Sequence, residues 1–201
     1  MLTNGFPITE FVGGRKNLDS TYTKLLSKSD GPASTLYDKL RFRIVTRTRD
    51  DILPILLYLT ERLFPVNCVV PAQSTNTIFH FRSYCESHPH LRQLLDTYDS
   101  VGDGLTPVDN RFTAPSYRVI QFVTDVPVRV PRHLMEAAPA GSEHLGPVVY
   151  MICEFQVLDA ASEAANEQGD ASHEAYKSRQ RRAVATRLRM GARGRRGPGG
   201  G

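Results

Sequence analysis

One segment of the chain alternates regularly between apolar and polar residues. It covers about 36–46, where two arginines, Arg41 and Arg43, fall between apolar residues. A period of two predicts a β-strand with one apolar and one polar face. The apolar positions that define the pattern are Leu40, Phe42 and Ile44. We therefore expect both arginines on the same side of this strand.

A second strand is predicted over 148–157, a largely apolar run that contains Glu154 and Gln156. Alternate residues of a strand point to opposite faces of the sheet. These two polar residues therefore share one face, and Cys153 and Phe155 take the other.

A third extended run, 117–130, is apolar on both faces, which is typical of a central strand. Tyr117 and Gln121 share a face of this run. If it lies beside the strand of Glu154 with the polar faces aligned, an aromatic ring, an amide and a carboxylate converge on one patch.

Apolar residues at helical spacing, together with Pro and Gly punctuation, predict the remaining elements. Helices are expected over about 16–26, 50–64, 83–98 (starting afresh at Pro89) and 160–190, with one turn at 133–137. Short strands are expected over 66–71 and 77–81. This order of elements predicts an α+β fold, with a mixed, mainly antiparallel sheet of about five strands flanked by helices.

Length and composition fit a globular protein. A chain of 201 residues, 40% of them apolar, is long enough for one domain with a real core. We assign 1–177 to that domain, with its last helix continuing to about 190, and predict that the Gly/Arg-rich segment 191–201 is disordered. No apolar run has the length of a membrane span, no secretory leader is recognisable, and the three cysteines lack metal-ligand spacing. A cytoplasmic protein is expected.

Charge is distributed unevenly along the chain. From Lys177 to the end there are nine of the 25 Lys and Arg residues and none of the 21 acidic residues. The part before Lys177 therefore has five more acidic than basic residues. A cationic arm of this kind often contacts nucleic acid, which makes RNA a candidate partner, or an acidic partner surface. A solubilising, disordered terminus would have the same composition.

Two carboxylates and a group of cations are candidates for chemistry on a polyphosphate. Asp38, in the first strand segment, and Glu154 are placed to hold one divalent cation. A Glu beside an amide inside a sheet costs free energy unless it is paired or coordinates a cation. The alternative is a solvent-facing Glu154 in a one-sided sheet. Basic residues on the first helix and strand can grip phosphate oxygens, although such residues are usually solvated. They are Arg15, Lys16, Lys24, Arg41 and Arg43.

Four blocks of the sequence, in order, resemble the synthetase domain of the RelA/SpoT family, whose enzymes make ppGpp and pppGpp. Their spacing is similar to that of the family over about 14–177. Residues 15–24 resemble its R-x-K-x-x-x-S-x-x-x-K helix, 36–45 its strand with an Asp at the third position, and 116–121 its G-Y-[RQ]-[SG]-[IL]-H segment. The fourth block has two parts: residues 153–157, which resemble E-[IV]-Q-[IL]-R-T, and residues 171–177, which resemble the helix motif H-x-x-Y-K.

The resemblance implies a nucleotidyltransferase-like fold and transfer of the β,γ-pyrophosphate of ATP to the 3′-hydroxyl of a guanine nucleotide. It implies Asp38 as the main Mg²⁺ ligand and Glu154 as the second carboxylate, which orients the cation or takes the proton of the attacking hydroxyl. Tyr117 would stack on the acceptor base. The remaining residues that the resemblance implies as substrate contacts or supports are Lys16, Lys24, Arg41, Arg43, Arg111, Gln121, Gln156, His173 and Lys177.

The chain departs from the family pattern mainly where the acceptor is recognised. Arg41 replaces a small residue, Ser116 replaces Gly, and Gln121 replaces His. An adenine nucleotide or the 3′ end of tRNA therefore stays open as the acceptor. The sequence is also compatible with a catalytically inactive regulator that binds nucleotide or RNA, and with a generic domain whose carboxylates are exposed. Family members are often oligomeric, which leaves a homo-oligomer open.

Overall fold

The computed structural model describes residues 5–15, 17–27, 40–70, 73–97 and 112–194. Its strands are β1 (Ile8–Arg15), β2 (Leu40–Thr46), β3 (Thr75–Asn76), β4 (Ile120–Arg129) and β5 (Val148–Asp159). Its helices are α1 (Leu18–Ser27), α2 (Ile52–Arg62), α3 (Phe81–Ser87), α4 (Arg92–Thr97), α5 (Arg132–Glu136), α6 (Ala160–Asn166) and α7 (His173–Gly194). No helix in the described part of the chain is long and apolar enough to cross a membrane.

The five strands form one mixed sheet in the order β1-β2-β5-β4-β3. Strand β2 runs parallel to β5, and β4 runs antiparallel to it. Strand β1 is antiparallel to β2, since the Arg47 N–H donates to the Pro7 carbonyl and the Thr9 hydroxyl to the Val45 carbonyl. The predicted fold class is confirmed. The sequence reasoning missed β1, an edge strand without regular alternation.

The chain divides into two compact units. We call the first the sheet unit; it comprises Met1–Gly14, Tyr37–Thr75 and Ile120–Ala160. We call the second the helical unit; it comprises Arg15–Leu36, Asn76–Val119 and Ala161–Gly201. The assignment of 1–177 to one domain stays a prediction.

Phe155, in the central strand β5, is the centre of the aromatic core of the sheet unit. Its ring stacks on Phe42 of β2 at a centroid distance of 5.1 Å and on Phe122 of β4 at 5.4 Å. Phe64, which follows α2, covers the same ring at 5.3 Å. Large apolar groups on one face of three adjacent strands supply most of the free energy that holds the strands together. Helix α2 contributes the buried residues Ile52, Ile55 and Leu59.

Helix α2 begins where the sequence predicts it. The Asp51 carboxylate accepts hydrogen bonds from the Thr48 N–H at 2.9 Å and from the Thr48 hydroxyl at 2.6 Å. These bonds fix the 3-10 turn Arg49–Asp51 that leads into the helix. Pro54 is tolerated because the first turn of a helix does not use its N–H groups internally.

The helical unit contains the paired helices α1 and α7. The Lys177 ammonium donates to the Ser20 hydroxyl at 3.3 Å, and the Arg187 guanidinium donates to the Leu26 carbonyl in the last turn of α1 at 2.9 Å. Asn17 caps the start of α1 by accepting the Ser20 N–H at 2.8 Å. A cation at the C-terminal end of a helix interacts favourably with its free carbonyls.

The prediction of one helix over 160–190 is wrong. Helix α6 ends at Asn166, and a 3-10 turn, Gly169–Ala171, separates it from α7. Gly169 has a φ of +59°, a left-handed conformation that glycine adopts without steric cost and that ends a right-handed helix. Helix α7 then continues to Gly194, past the predicted end.

The two short strands predicted over 66–71 and 77–81 are also wrong. Val66–Cys68 is a 3-10 turn, followed by a single antiparallel bridge between Val69 and Thr124. After β3, the Asn76 side chain accepts the N–H groups of two following residues, so a turn replaces the strand. Strand β4 begins at Ile120, later than predicted. The break at Pro89 and the helical turn near 133 are confirmed.

Gly13 is required in β1 by the aromatic core. A methyl group added at Gly13 would lie 2.9 Å from two ring carbons of Phe42, whereas one added at Gly14 would have no atom within 4 Å. The Phe42 ring is confined by its stacking on Phe155. We predict that Gly13→Ala lowers the free energy of unfolding by about 1–3 kcal/mol relative to Gly14→Ala, measured by denaturant unfolding.

The Gly14→Ala variant controls for the loss of glycine freedom in the unfolded chain, which is the same at both positions. Equal stabilities of the two variants would show that Phe42 is not confined as described.

Candidate functional site

Side chains on the opposite face of the sheet from the aromatic core form a polar row across β2, β5 and β4. In the strand register, Arg41 lies opposite Glu154. Arg43 lies opposite Gln156, which in turn pairs with Gln121. We call these five residues the polar face. The structure therefore brings together five predicted site residues, and the expectation that the strands of Gln121 and Glu154 are neighbours is met.

Glu154 is the centre of the polar face. It is buried, with 3% of its surface exposed. One carboxylate oxygen, Oε1, is 2.8 Å from the Arg41 Nε and accepts a hydrogen bond from the Gln156 amide at 3.0 Å. The same Gln156 amide donates to the Gln121 carbonyl oxygen at 3.2 Å. A chain of contacts thus runs from Arg41 to Gln121.

These contacts compensate the cost of burying a charge. An isolated carboxylate inside a sheet loses several kcal/mol of hydration, and a guanidinium with an amide donor offsets much of that loss. The Arg41 side chain is 42% exposed and that of Glu154 5%, so the arginine is partly hydrated while the carboxylate is not. This burial excludes a solvent-facing Glu154.

Tyr117, in the helical unit, is half-buried and lies in a turn before β4. Its N–H donates to the Ala114 carbonyl at 3.0 Å, which closes the turn. The next residue, Arg118, is bonded through both backbone groups to Asn166 at the end of α6. The sequence reasoning missed Asn166, because an Asn near the end of a predicted helix carries no motif or periodicity.

His173 and Lys177 lie one turn apart in the first turns of α7, as predicted. The exposed His173 ring stacks on Tyr176 at a centroid distance of 6.5 Å, and Lys177 is half-buried beside α1. Lys24 lies on α1, but its side chain is outside the described residues.

Three predicted site residues lie outside the described residues altogether. They are Lys16, Asp38 and Arg111. The predicted pairing of Asp38 with Glu154 therefore stays a prediction, as do RNA binding by the Arg-rich terminus and a homo-oligomer.

Among the described residues there is no group of three or more His, Cys, Asp or Glu side chains that could hold one metal ion. Mg²⁺, however, is commonly bound by one or two carboxylates together with substrate phosphates and water. The Glu154 carboxylate is a donor of the required hard type. Its Oε1 contacts Arg41 and Gln156, so a cation bound by Glu154 would use Oε2 or replace one of these contacts.

Cys153, the neighbour of Glu154 on the opposite face of β5, has no sign of a reactive thiol. Burial and the negative charge of Asp125 raise the pKa of the Cys153 thiol above its ordinary value of 9.0. The thiol donates to the Met151 carbonyl at 3.4 Å. A protonated, buried thiol is a weak nucleophile, which agrees with a packing role.

No protein-family model and no curated protein matches this chain. Among solved structures, the small alarmone synthetase 1 from Bacillus subtilis is 18% identical, with a TM-score of 0.46, over 92% of this chain and 75% of that one. The same enzyme bound to its product pppGpp is 18% identical, with a TM-score of 0.45, over 94% and 77%. A GTP pyrophosphokinase family protein from Streptococcus pneumoniae is 14% identical, with a TM-score of 0.44, over 92% and 72%.

These matches are a distant structural similarity to small alarmone synthetases and to a GTP pyrophosphokinase family protein. At these identities and TM-scores the similarity decides nothing about the substrates of this chain.

Because Glu154 is buried, loss of Arg41 should lower the stability more than loss of an arginine from an exposed ion pair. Arg41→Leu leaves a buried carboxylate without its cation, so we expect the free energy of unfolding at neutral pH to fall by roughly 1–3 kcal/mol. In the exposed pair Arg132–Glu136, whose charged atoms are 2.9 Å apart, Arg132→Leu should cost less than about 0.5 kcal/mol. Denaturant unfolding measures both values.

A double variant, Arg41→Leu with Glu154→Leu, removes the buried charge as well as its partner and should recover part of the loss. Equal costs for Arg41→Leu and Arg132→Leu, with no recovery in the double variant, would contradict the described pairing.

Proposed function

We propose that this chain is a pyrophosphokinase that transfers the β,γ-pyrophosphate of ATP to the 3′-hydroxyl of a guanine nucleotide. The observation that supports it most is the buried Glu154, oriented by Arg41 and Gln156 on the polar face of the sheet. The sequence blocks that resemble the RelA/SpoT synthetase domain assign the reaction type to that carboxylate.

In the proposed reaction, the 3′-oxygen of the acceptor attacks the β-phosphorus of ATP. A bond forms between these two atoms, and the bond from the β-phosphorus to the oxygen bridging it to the α-phosphorus breaks, which releases AMP. The hydroxyl proton passes to Oε2 of the Glu154 carboxylate or, in the alternative in which Glu154 orients the cation, to water. Gln156 keeps the other oxygen in place, so the carboxylate does not have to reorient as the proton arrives.

Phosphoryl-type transfer depends on positioning and on neutralising the charge of the phosphate oxygens. Arg43 is proposed to contact donor phosphates from β2, and Lys16 and Lys24 from the α1 region. Mg²⁺, when bound with Asp38 and Glu154, would neutralise charge on the transferred group. Tyr117 is proposed to stack on the acceptor base, with His173 and Lys177 contacting the substrate from α7.

Arg41 favours a second candidate function, a nucleotide-binding regulator without catalysis. In this structure the guanidinium of Arg41 occupies one oxygen of the carboxylate that the reaction requires. If Arg41 stays in place when nucleotide binds, Glu154 is held as a structural ion pair and serves binding without catalysis.

A product assay separates the two functions. The full chain is incubated with Mg²⁺, ATP labelled at the γ-phosphate, and one acceptor at a time: GDP, GTP, ADP, or deacylated tRNA. We expect the label in a guanine nucleotide, with AMP released in equal amount. Glu154→Gln should lower kcat by about 10²–10⁴-fold, because the neutral amide cannot take the proton.

Glu136→Gln is the matched control. It makes the same chemical change in the same unit, at an exposed residue, and should leave kcat within about twofold of the wild type. Binding of ATP and GTP without product from any acceptor would favour the regulator. Full activity of a folded Glu154→Gln variant would contradict the proposed role of this carboxylate.

The metal proposal has its own test. Asp38→Asn should raise the Mg²⁺ concentration that gives half-maximal activity by about tenfold or more, since a charged oxygen ligand is lost. Asp50→Asn, an exposed Asp of the sheet unit, is the control and should not change it. A Mg²⁺ requirement that is the same in both variants would rule out Asp38 as a ligand.

A further inference from the structure

We propose that Asn166 is a positioning residue for acceptor recognition, which acts by fixing the backbone that presents Tyr117. This inference rests on the proposed function, in which Tyr117 stacks on the acceptor base. Asn166 itself does not contact the substrate in this account. It acts through the peptide groups of Arg118.

The side-chain amide of Asn166 forms hydrogen bonds with both backbone groups of Arg118. Its Oδ1 accepts the Arg118 N–H at 2.9 Å, and its Nδ2 donates to the Arg118 carbonyl at 2.8 Å. The side chain is 2% exposed, so water does not compete for these bonds. A carboxamide is the side-chain group that provides one donor and one acceptor in the arrangement that a peptide requires.

The backbone on either side of Arg118 is fixed as well. On the N-terminal side, the Tyr117 N–H is bonded to the Ala114 carbonyl at 3.0 Å. On the C-terminal side, the Val119 N–H donates to the Thr77 hydroxyl at 2.8 Å, and the Val119 carbonyl accepts the Thr77 N–H at 3.0 Å. The backbone of three consecutive residues is therefore restrained.

The turn before Tyr117 is fixed from α7. The Arg179 guanidinium donates to the Phe112 carbonyl at 2.7 Å and to the Asp170 carbonyl at 2.9 Å. The Arg118 side chain donates to the Pro115 carbonyl at 2.8 Å. Without Asn166, the backbone hydrogen bonds of Tyr117 and Val119 remain. The N–H and the carbonyl of Arg118, however, lose their partners.

A stacking aromatic ring binds a base more tightly when its orientation is fixed before the base arrives. The side chain of Tyr117 has only two torsions, so the position of its backbone largely sets where the ring lies. Ordering that backbone before the nucleotide arrives removes an entropy cost from acceptor binding. The donor nucleotide is not proposed to contact Tyr117, so its affinity should not depend on Asn166.

The first test is kinetic. In Asn166→Ala we expect the KM for the guanine nucleotide to rise about tenfold or more, while the KM for ATP changes less than about twofold. A general loss of stability would lower the amount of active protein and would not change one KM selectively. If Asn166→Ala does not fold, Asn166→Ser replaces it, because serine is too short to make both bonds.

Asn76→Ala is the matched control. Asn76 also lies in the helical unit, donates to the Phe79 carbonyl at 2.9 Å and accepts the Ile78 N–H at 3.1 Å. It also accepts the Phe79 N–H at 3.0 Å, so its loss removes three bonds from a side-chain amide to the backbone at a different turn. We expect a lower thermal stability without an acceptor-specific rise in KM. Equal rises in the acceptor KM for Asn76→Ala and Asn166→Ala would overturn the inference.

A binding test examines the inference without requiring catalytic activity. The chain contains no Trp, so Tyr117→Trp introduces a single fluorescent reporter at the proposed stacking position. The affinity for GDP, measured from the quenching of this fluorescence, should be about tenfold lower when Asn166→Ala is added. This result supports the inference even if the wild type gives no product and the proposed reaction fails. An unchanged affinity overturns it even in an active enzyme.

Discussion

The alternation of side chains along β2, β5 and β4 is the constraint on which the rest of the structure depends. Once the rings of Phe42, Phe122 and Phe155 stack on one face of the sheet, the residues between them must point to the other. A register shift of one residue would bury charges in the aromatic core and expose the rings. The free energy of the apolar core thereby also positions Glu154 and its partners.

A buried carboxylate satisfied by a guanidinium and an amide is stable, but under the proposed function a nucleotide would have to disturb it. In that proposal the substrate phosphates would compete with Glu154 for Arg41, and Mg²⁺ would compete with Arg41 for Glu154, so that one set of charge pairs is exchanged for another. The same contact that stabilises the sheet unit therefore bears on whether the chain catalyses or only binds.

Alternation and motif order predicted β2, β4, β5, the sheet class and the shared face of Gln121 and Gln156 with Glu154. The elements and contacts that the sequence did not predict were missed for physical reasons. Strand β1 is mostly exposed and contains Gly13 and Gly14, so no apolar period reveals it. The end of α6 depends on the backbone conformation of Gly169, and the role of Asn166 depends on a contact across 48 residues of sequence. Neither leaves a local pattern. The counterion of Glu154 was also invisible, because the register that pairs it with Arg41 is a tertiary property.

The most direct test of the central claim, that Glu154 is a functional carboxylate held ready by the sheet, is a crystal structure of the full chain with Mn²⁺ and a non-hydrolysable ATP analogue. Anomalous scattering from manganese locates the ion independently of the protein atoms. We expect an ion about 2.0–2.6 Å from a Glu154 carboxylate oxygen, with nucleotide phosphates completing its coordination. Bound nucleotide with Glu154 still paired only with Arg41, and manganese beyond its reach, would contradict the account.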